Sequence, residues 1–135
     1  MNRIQSQVDD SILCTYVRKK DIGSYRTDLS LESELLQASA RLLKQNTHVA
    51  AHKHLPINRT TIGTQEAWIV IEGKIVADIY DIDDKKISEV TISSGDAIVF
   101  YRGGHSLTVI ENDTIFYEFK NGPYNGKEND KQQIN

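Results

Sequence analysis

The fold is decided by residues 66–120, which read EAWIVIEGKIVADIYDIDDKKISEVTISSGDAIVFYRGGHSLTVIENDTIFYEFK. Short runs of β-branched and aromatic residues alternate there with turn-forming residues, at the spacing typical of an all-β sandwich or barrel. The predicted strands are residues 66–71, 74–81, 86–92, 97–101, 105–110 and 114–120. No alternation of strands with helices is present, so we expect hairpins rather than a parallel sheet.

Residues 31–44 carry two conflicting signals. The segment is rich in Leu, Ala, Glu, Gln and Lys, which favour a helix on intrinsic propensity. The apolar positions between Leu36 and Leu42 alternate with polar ones, however, and a period of two favours a strand with one buried face. We therefore predict a strand here, with a helix as the alternative.

His52 and His54 form a candidate ligand pair. On a strand, residues two apart project from the same face, whereas on a helix they point about 200° apart. The following Pro56 disfavours a helix at Leu55, and a turn-like sequence precedes Thr47. The sequence thus predicts a strand over residues 47–54, and joint metal binding by the two histidines requires it.

Composition limits the classes of function. With 135 residues, 39% hydrophobic and 26% charged, the chain fits one globular domain of ordinary size. A net charge of −3 and a basic run of only residues 18–20 argue against a nucleic-acid partner. No apolar run approaches the roughly 20 residues that span a bilayer, and residues 1–10 lack a signal pattern. The single Cys14 cannot form an internal disulfide. From these features together we expect a cytoplasmic protein without membrane contact.

Two motifs contain the candidate histidines and further polar residues. The first joins His52-Lys53-His54 to Glu66 and Gly73, and the second begins with Gly95-Asp96 and ends in His105 after a tight turn. Together they resemble the two motifs of the cupin family, over residues 47–110. The resemblance implies a cupin-type double-stranded β-helix, a jelly-roll barrel. It also implies a divalent metal ion (Zn, Mn, Fe, Ni or Co) bound by His52, His54, Glu66 and His105.

Residues 102–105, residues 118–124 and Asp130-Lys131 give a narrower match. They resemble the WbuC-type cupins of polysaccharide biosynthesis. We predict an N-terminal extension or strand at residues 1–30, a barrel domain at residues 31–124 and a C-terminal tail at residues 125–135. The polar composition of the tail predicts that it is flexible.

Further polar residues are candidates for catalysis or for ligand binding. Strand parity places Glu118 or Tyr101 within reach of the metal as a general base. Around the mouth of the predicted barrel, several side chains could contact a bound anion or polyol. These candidate substrate-binding residues are Arg59, Gln65, Arg102, Lys120 and Tyr124.

The resemblance implies an enzyme acting on a sugar or sugar nucleotide, in which the metal assists isomerisation or epimerisation. A non-catalytic module that binds a small carbohydrate or carboxylate is the alternative, and an Fe(II) dioxygenase is a third option. The sequence leaves open whether the protein is an enzyme. The strand that contains Ala67, Ile69 and Ile71 is apolar on both faces, so we also expect a homodimer.

Overall fold

The computed structural model describes residues 1–134. Its strands are β1 (Asn2–Gln5), β2 (Ile12–Val17), β3 (Thr27–Asp28), β4 (Ser39–Ala40), β5 (Glu66–Glu72), β6 (Lys74–Tyr80), β7 (Lys86–Ser93), β8 (Ala97–Phe100), β9 (Gly104–Val109) and β10 (Ile115–Lys120). A 3-10 turn at Lys19–Asp21 and one short helix, α1 (Lys127–Asp130), complete the elements. Within residues 1–134, no helix has both the length and the apolar character needed to cross a membrane.

The strands form two antiparallel sheets and a small ribbon. The larger sheet has the order β1-β2-β8-β5-β10, the smaller has the order β7-β6-β9, and β3 pairs with β4. All of these pairings are antiparallel. The prediction of an all-β fold with antiparallel sheets is confirmed, and the six strands predicted after residue 65 are β5 to β10. The expected run of hairpins is wrong in part. Among these six strands only β6 and β7 form a hairpin, because every other connection crosses from one sheet to the other. The first two strands, from the predicted N-terminal extension, belong to the larger sheet.

The main core lies between the two sheets. Strand β6 shows why these sequences form half-buried strands, since Ile75, Ala77 and Ile79 are buried and alternate with partly buried residues. The buried core side chains of both sheets are Leu13, Cys14, Trp68, Val70, Ile75, Ala77, Ile79, Val90, Ile92, Ile98 and Phe100. The two sheets are therefore held together by their inward faces, and β5 and β9 run along this layer.

A second, smaller core covers part of the outer face of the larger sheet. Val17, Ala67, Val99 and Tyr101 of that sheet region pack there with Leu29. The apolar outer face of β5, noted in the sequence, is thus buried at its beginning by residues around the β3-β4 ribbon. At its end, Ile71 remains 48% exposed.

The strand predicted at residues 47–54 is wrong. Residues 41–64 contain no strand, and every one of them is exposed. A strand needs a neighbour for its backbone hydrogen bonds, and neither sheet offers a pairing to this segment. Of residues 31–44, only Ser39–Ala40 is a strand, because β3 gives it just two residues of pairing.

Candidate functional site

A cavity of about 810 Å³ opens at one end of the layer between the sheets. Its apolar wall is formed by Trp68 and Phe100 from the larger sheet and by Leu107 from β9. Charged and polar side chains share the lining with them, among them Glu66, His105, Ser106 and Glu118. A pocket of this size with an apolar wall and a few converging polar groups is typical of a small-molecule site.

Glu66 begins β5 and is only 5% exposed. The Trp68 indole Nε1 donates a hydrogen bond to Glu66 Oε1 at 2.6 Å. On the other carboxylate oxygen, Oε2, Lys120 Nζ lies at 3.4 Å and His105 Nε2 at 3.6 Å. One buried carboxylate therefore meets an indole, an ammonium group and an imidazole.

His105 is positioned by a tight turn and by aromatic packing. Gly103 has a φ of 71°, and a Cβ there would collide with the carbonyl oxygen of Tyr80, so only glycine fits the turn that leads into β9. The His105 ring stacks on Phe100 with centroids 4.1 Å apart, and it lies edge-to-face with Trp68 at a centroid distance of 5.1 Å. These contacts hold the ring with Nε2 towards Glu66.

The charges around Glu66 control its ionisation. Burial alone raises the pKa of the Glu66 carboxyl, but the interactions with His105, Glu118 and Trp68 outweigh burial and lower the pKa to about 2. Burial likewise opposes the charge of Lys120, whereas the hydrogen bond to Glu118, at 2.9 Å, and the negative charge of Glu66 raise the pKa of the Lys120 ammonium group. At neutral pH the site holds an ionised carboxylate beside the imidazole.

The structure brings together two of the four predicted metal ligands. Glu66 and His105 are neighbours, whereas His52 and His54 lie in the exposed segment of residues 41–64, with their rings 5.7 Å apart. Nowhere in residues 1–134 do three His, Cys, Asp or Glu side chains form a group that could hold a metal ion. The Lys120 ammonium group also already faces Glu66. The residues as arranged do not fit a metal ion, and metal binding by the four ligands stays a prediction of the sequence.

Three other predicted site residues make structural contacts. The Tyr101 hydroxyl donates a hydrogen bond to the Leu29 carbonyl at 2.8 Å, inside the second core. The guanidinium of Arg102 donates to both carboxylate oxygens of Glu34, and Gln65 Nε2 donates to Glu34 Oε2 at 2.6 Å. These bonds attach the region of residues 29–36 to the larger sheet, although Arg102 also lines the cavity.

Arg59, Lys120, Tyr124 and Glu118 have different surroundings. Arg59 lies in the exposed segment of residues 41–64. Lys120 and Tyr124 line a second cavity of about 460 Å³. Glu118 lines both cavities and therefore stands where they adjoin.

The sequence reading missed the C-terminal residues at this site. Lys127, Asp130 and Lys131 line both cavities, and Asp130 Oδ1 accepts a hydrogen bond from the Thr64 hydroxyl at 2.6 Å. Ile134 reaches Gly104 at the start of β9. The structure thus places the predicted tail against the cavity. The available signal was Asp130-Lys131, on which the narrower resemblance partly rests, but the polar composition of the segment predicted a flexible tail instead.

Comparison with known proteins found no relative from which a function could be transferred. No family model, curated protein or solved structure matches the chain. The likeness to cupins therefore stays a prediction from the motifs, and the function has to be argued from the geometry of the cavity.

Proposed function

We propose that the chain binds a small polyhydroxylated ligand of the sugar class in the larger cavity and transfers a proton on it, as an isomerase or epimerase. The observation that carries the proposal is the buried, ionised Glu66 carboxylate beside the ring of His105 on the cavity wall. An imidazole next to a carboxylate is a common arrangement for moving protons near neutral pH.

The lining of the cavity supports a sugar as the ligand. Trp68 and Phe100 offer flat apolar surfaces against which the C–H face of a sugar packs. Ser106, Glu118 and His105 offer hydrogen-bonding groups for hydroxyls. The volume of about 810 Å³ accommodates a monosaccharide with room for a substituent.

In the proposed reaction, His105 takes a proton from a carbon next to a carbonyl group. The electrons of that C–H bond form the carbon–carbon double bond of an enediolate as the carbonyl electrons move to oxygen. Ionised Glu66 stabilises the imidazolium and keeps its ring in place. The proton then returns from His105 to the neighbouring carbon, or the original carbon is reprotonated on its other face. Glu118, at the junction of the cavities, is the candidate to exchange protons with the ligand oxygen.

No step of this proposal uses a metal ion, because only Glu66 and His105 of the four predicted ligands are neighbours. A dioxygenase would need iron on that same donor set, so the geometry does not favour it. The jelly-roll barrel of the cupins remains our proposal for the finer fold, since two antiparallel sheets enclosing a core are compatible with it. The cytoplasmic location also stays a prediction.

A non-catalytic binding module is the second candidate, and one contact favours it. The charge of Glu66 is already balanced by Lys120 at 3.4 Å, as in a site that only has to bind a ligand. The two candidates share the cavity and its ligand class, so fold cannot separate them. They differ in whether a carbon-bound proton of the ligand is exchanged.

The experiment is a screen of aldoses, ketoses and their phosphorylated and nucleotide-linked forms in D₂O, with NMR detection of deuterium incorporated at carbon. We expect incorporation by the wild type and a loss of roughly 10²-fold or more in His105→Gln, with ligand binding retained. His48→Gln, in the exposed segment, is the matched control and should exchange normally. Binding without any incorporation by the wild type would establish the binding module, and no binding across the screen would remove the proposal.

A further inference from the structure

Lys127 and Lys131 stand where the two cavities adjoin. Lys127 begins α1, and the backbone N–H of Lys131 donates to the Lys127 carbonyl at 3.0 Å, which is one helical turn. Lys131 follows the helix with an extended backbone, and the side chains of both lysines line both cavities.

The carboxylates near these lysines are already engaged. Three lysines and two carboxylates line the smaller cavity, and the third lysine, Lys120, is paired with Glu118 and Glu66. Asp130, the other carboxylate, accepts a hydrogen bond from Thr64 at 2.6 Å. Across the described residues 1–134, no carboxylate oxygen lies within 4 Å of the ammonium group of Lys127 or Lys131. The lining of the smaller cavity thus carries one more positive than negative side chain, and two of its lysines have no ion-pair partner among residues 1–134.

We infer that the smaller cavity is a phosphoryl subsite, in which Lys127 and Lys131 bind the phosphate group of a phosphorylated sugar. Two lysine ammonium groups provide the charge-assisted hydrogen bonds that phosphate oxygens accept. The exposed Tyr124 hydroxyl, on the same lining, is available as a neutral donor.

The position of the two cavities beside each other determines how the ligand would be oriented. Glu118 lines both cavities and lies beside Glu66 and Lys120, so a ligand held by its phosphate at the lysines extends into the larger cavity towards His105. Binding of the phosphate group then positions the sugar for proton transfer. This inference deepens the proposed function, on which its sugar portion rests, whereas the phosphoryl subsite can be tested alone.

The test uses inorganic pyrophosphate as the probe, with binding followed by calorimetry at low salt. We expect Lys127→Gln/Lys131→Gln to bind roughly tenfold or more weakly than the wild type, and Lys127→Arg/Lys131→Arg to restore binding, since arginine keeps the charge. Both lysines are exposed, so the variants should fold, which circular dichroism checks. The matched control is Lys19→Gln/Lys20→Gln, which removes two exposed lysines that line a separate cavity with Arg18.

A selective loss in the first variant, with the control unchanged, supports the subsite. No pyrophosphate binding, or an equal loss in both glutamine variants, overturns it. The same assay compares a monosaccharide phosphate and a nucleoside diphosphate sugar with pyrophosphate. Whichever of the two sugars binds more tightly than pyrophosphate is the class of ligand that supplies the phosphate group. Equal binding of free and phosphorylated sugars contradicts the inference. His105→Gln should leave pyrophosphate binding intact, so failure of the proton-transfer proposal is distinguishable from failure of the subsite.

Discussion

Glu66 acquires its properties from neighbours that are far away in the chain. Trp68 is two residues on, but His105 and Lys120 reach the carboxylate from β9 and β10. The sequence identified Glu66 and His105 as partners through motif spacing. It could not predict that Lys120 would balance the carboxylate, because that contact depends on the register in which β10 pairs Lys120 with Glu66.

Tyr101 illustrates a residue whose sequence-based role and structural contacts differ. It was a candidate base, yet its hydroxyl donates to the Leu29 carbonyl within the second core. We expect Tyr101→Phe to lower the free energy of unfolding by about 1 kcal/mol, the usual loss for one hydrogen bond, while proton exchange on the ligand is unchanged. Urea unfolding and the deuterium assay measure the two effects. A loss of exchange with unchanged stability would return Tyr101 to the list of catalytic candidates.

At the level of elements, the sequence correctly predicted the strands that are determined by the local residue pattern and by turns. Strands β5 to β10 follow from alternating apolar residues and from turns such as Gly73, whose φ is 78°. Residues 47–54 were predicted poorly because the spacing of His52 and His54 and the nearby Pro56 are compatible with a strand, whereas the segment has no strand neighbour. Leu55 and Ile62, which flank it, are 71% and 91% exposed. Such a segment becomes a strand only if a sheet edge is free to pair with it, and a single sequence does not reveal which edges are free.

At the level of the whole molecule, the larger sheet ends in β10 with an apolar outer face. Tyr117 is 57% and Phe119 50% exposed there, beside Ile71 of β5. An edge strand of this kind offers unpaired backbone groups together with apolar surface, which suits pairing with a second copy of the chain. The homodimer expected from the sequence would form at this edge.

We expect the wild type to be a dimer at micromolar concentration and Phe119→Glu to be a monomer, because a charge would be placed in the apolar contact. Light scattering coupled to gel filtration measures the mass. Val8→Glu, at a position 57% exposed on another part of the surface, is the control and should remain dimeric. A monomeric wild type would contradict the homodimer.

The central claim, that Glu66 is a buried and ionised partner of His105, is tested most directly by the carboxyl ¹³C NMR titration of Glu66. The pKa, lowered from its ordinary 4.5 to about 2, means that the folded state binds this proton less readily than the unfolded chain. Glu66 therefore stabilises the fold fully above pH 4.5, and this contribution, on the order of 3 kcal/mol, is lost as the pH falls towards 2. We expect a titration midpoint near pH 2 in the wild type, shifted upward in His105→Gln. A midpoint near 4.5 that is unaffected by this substitution would contradict the central claim.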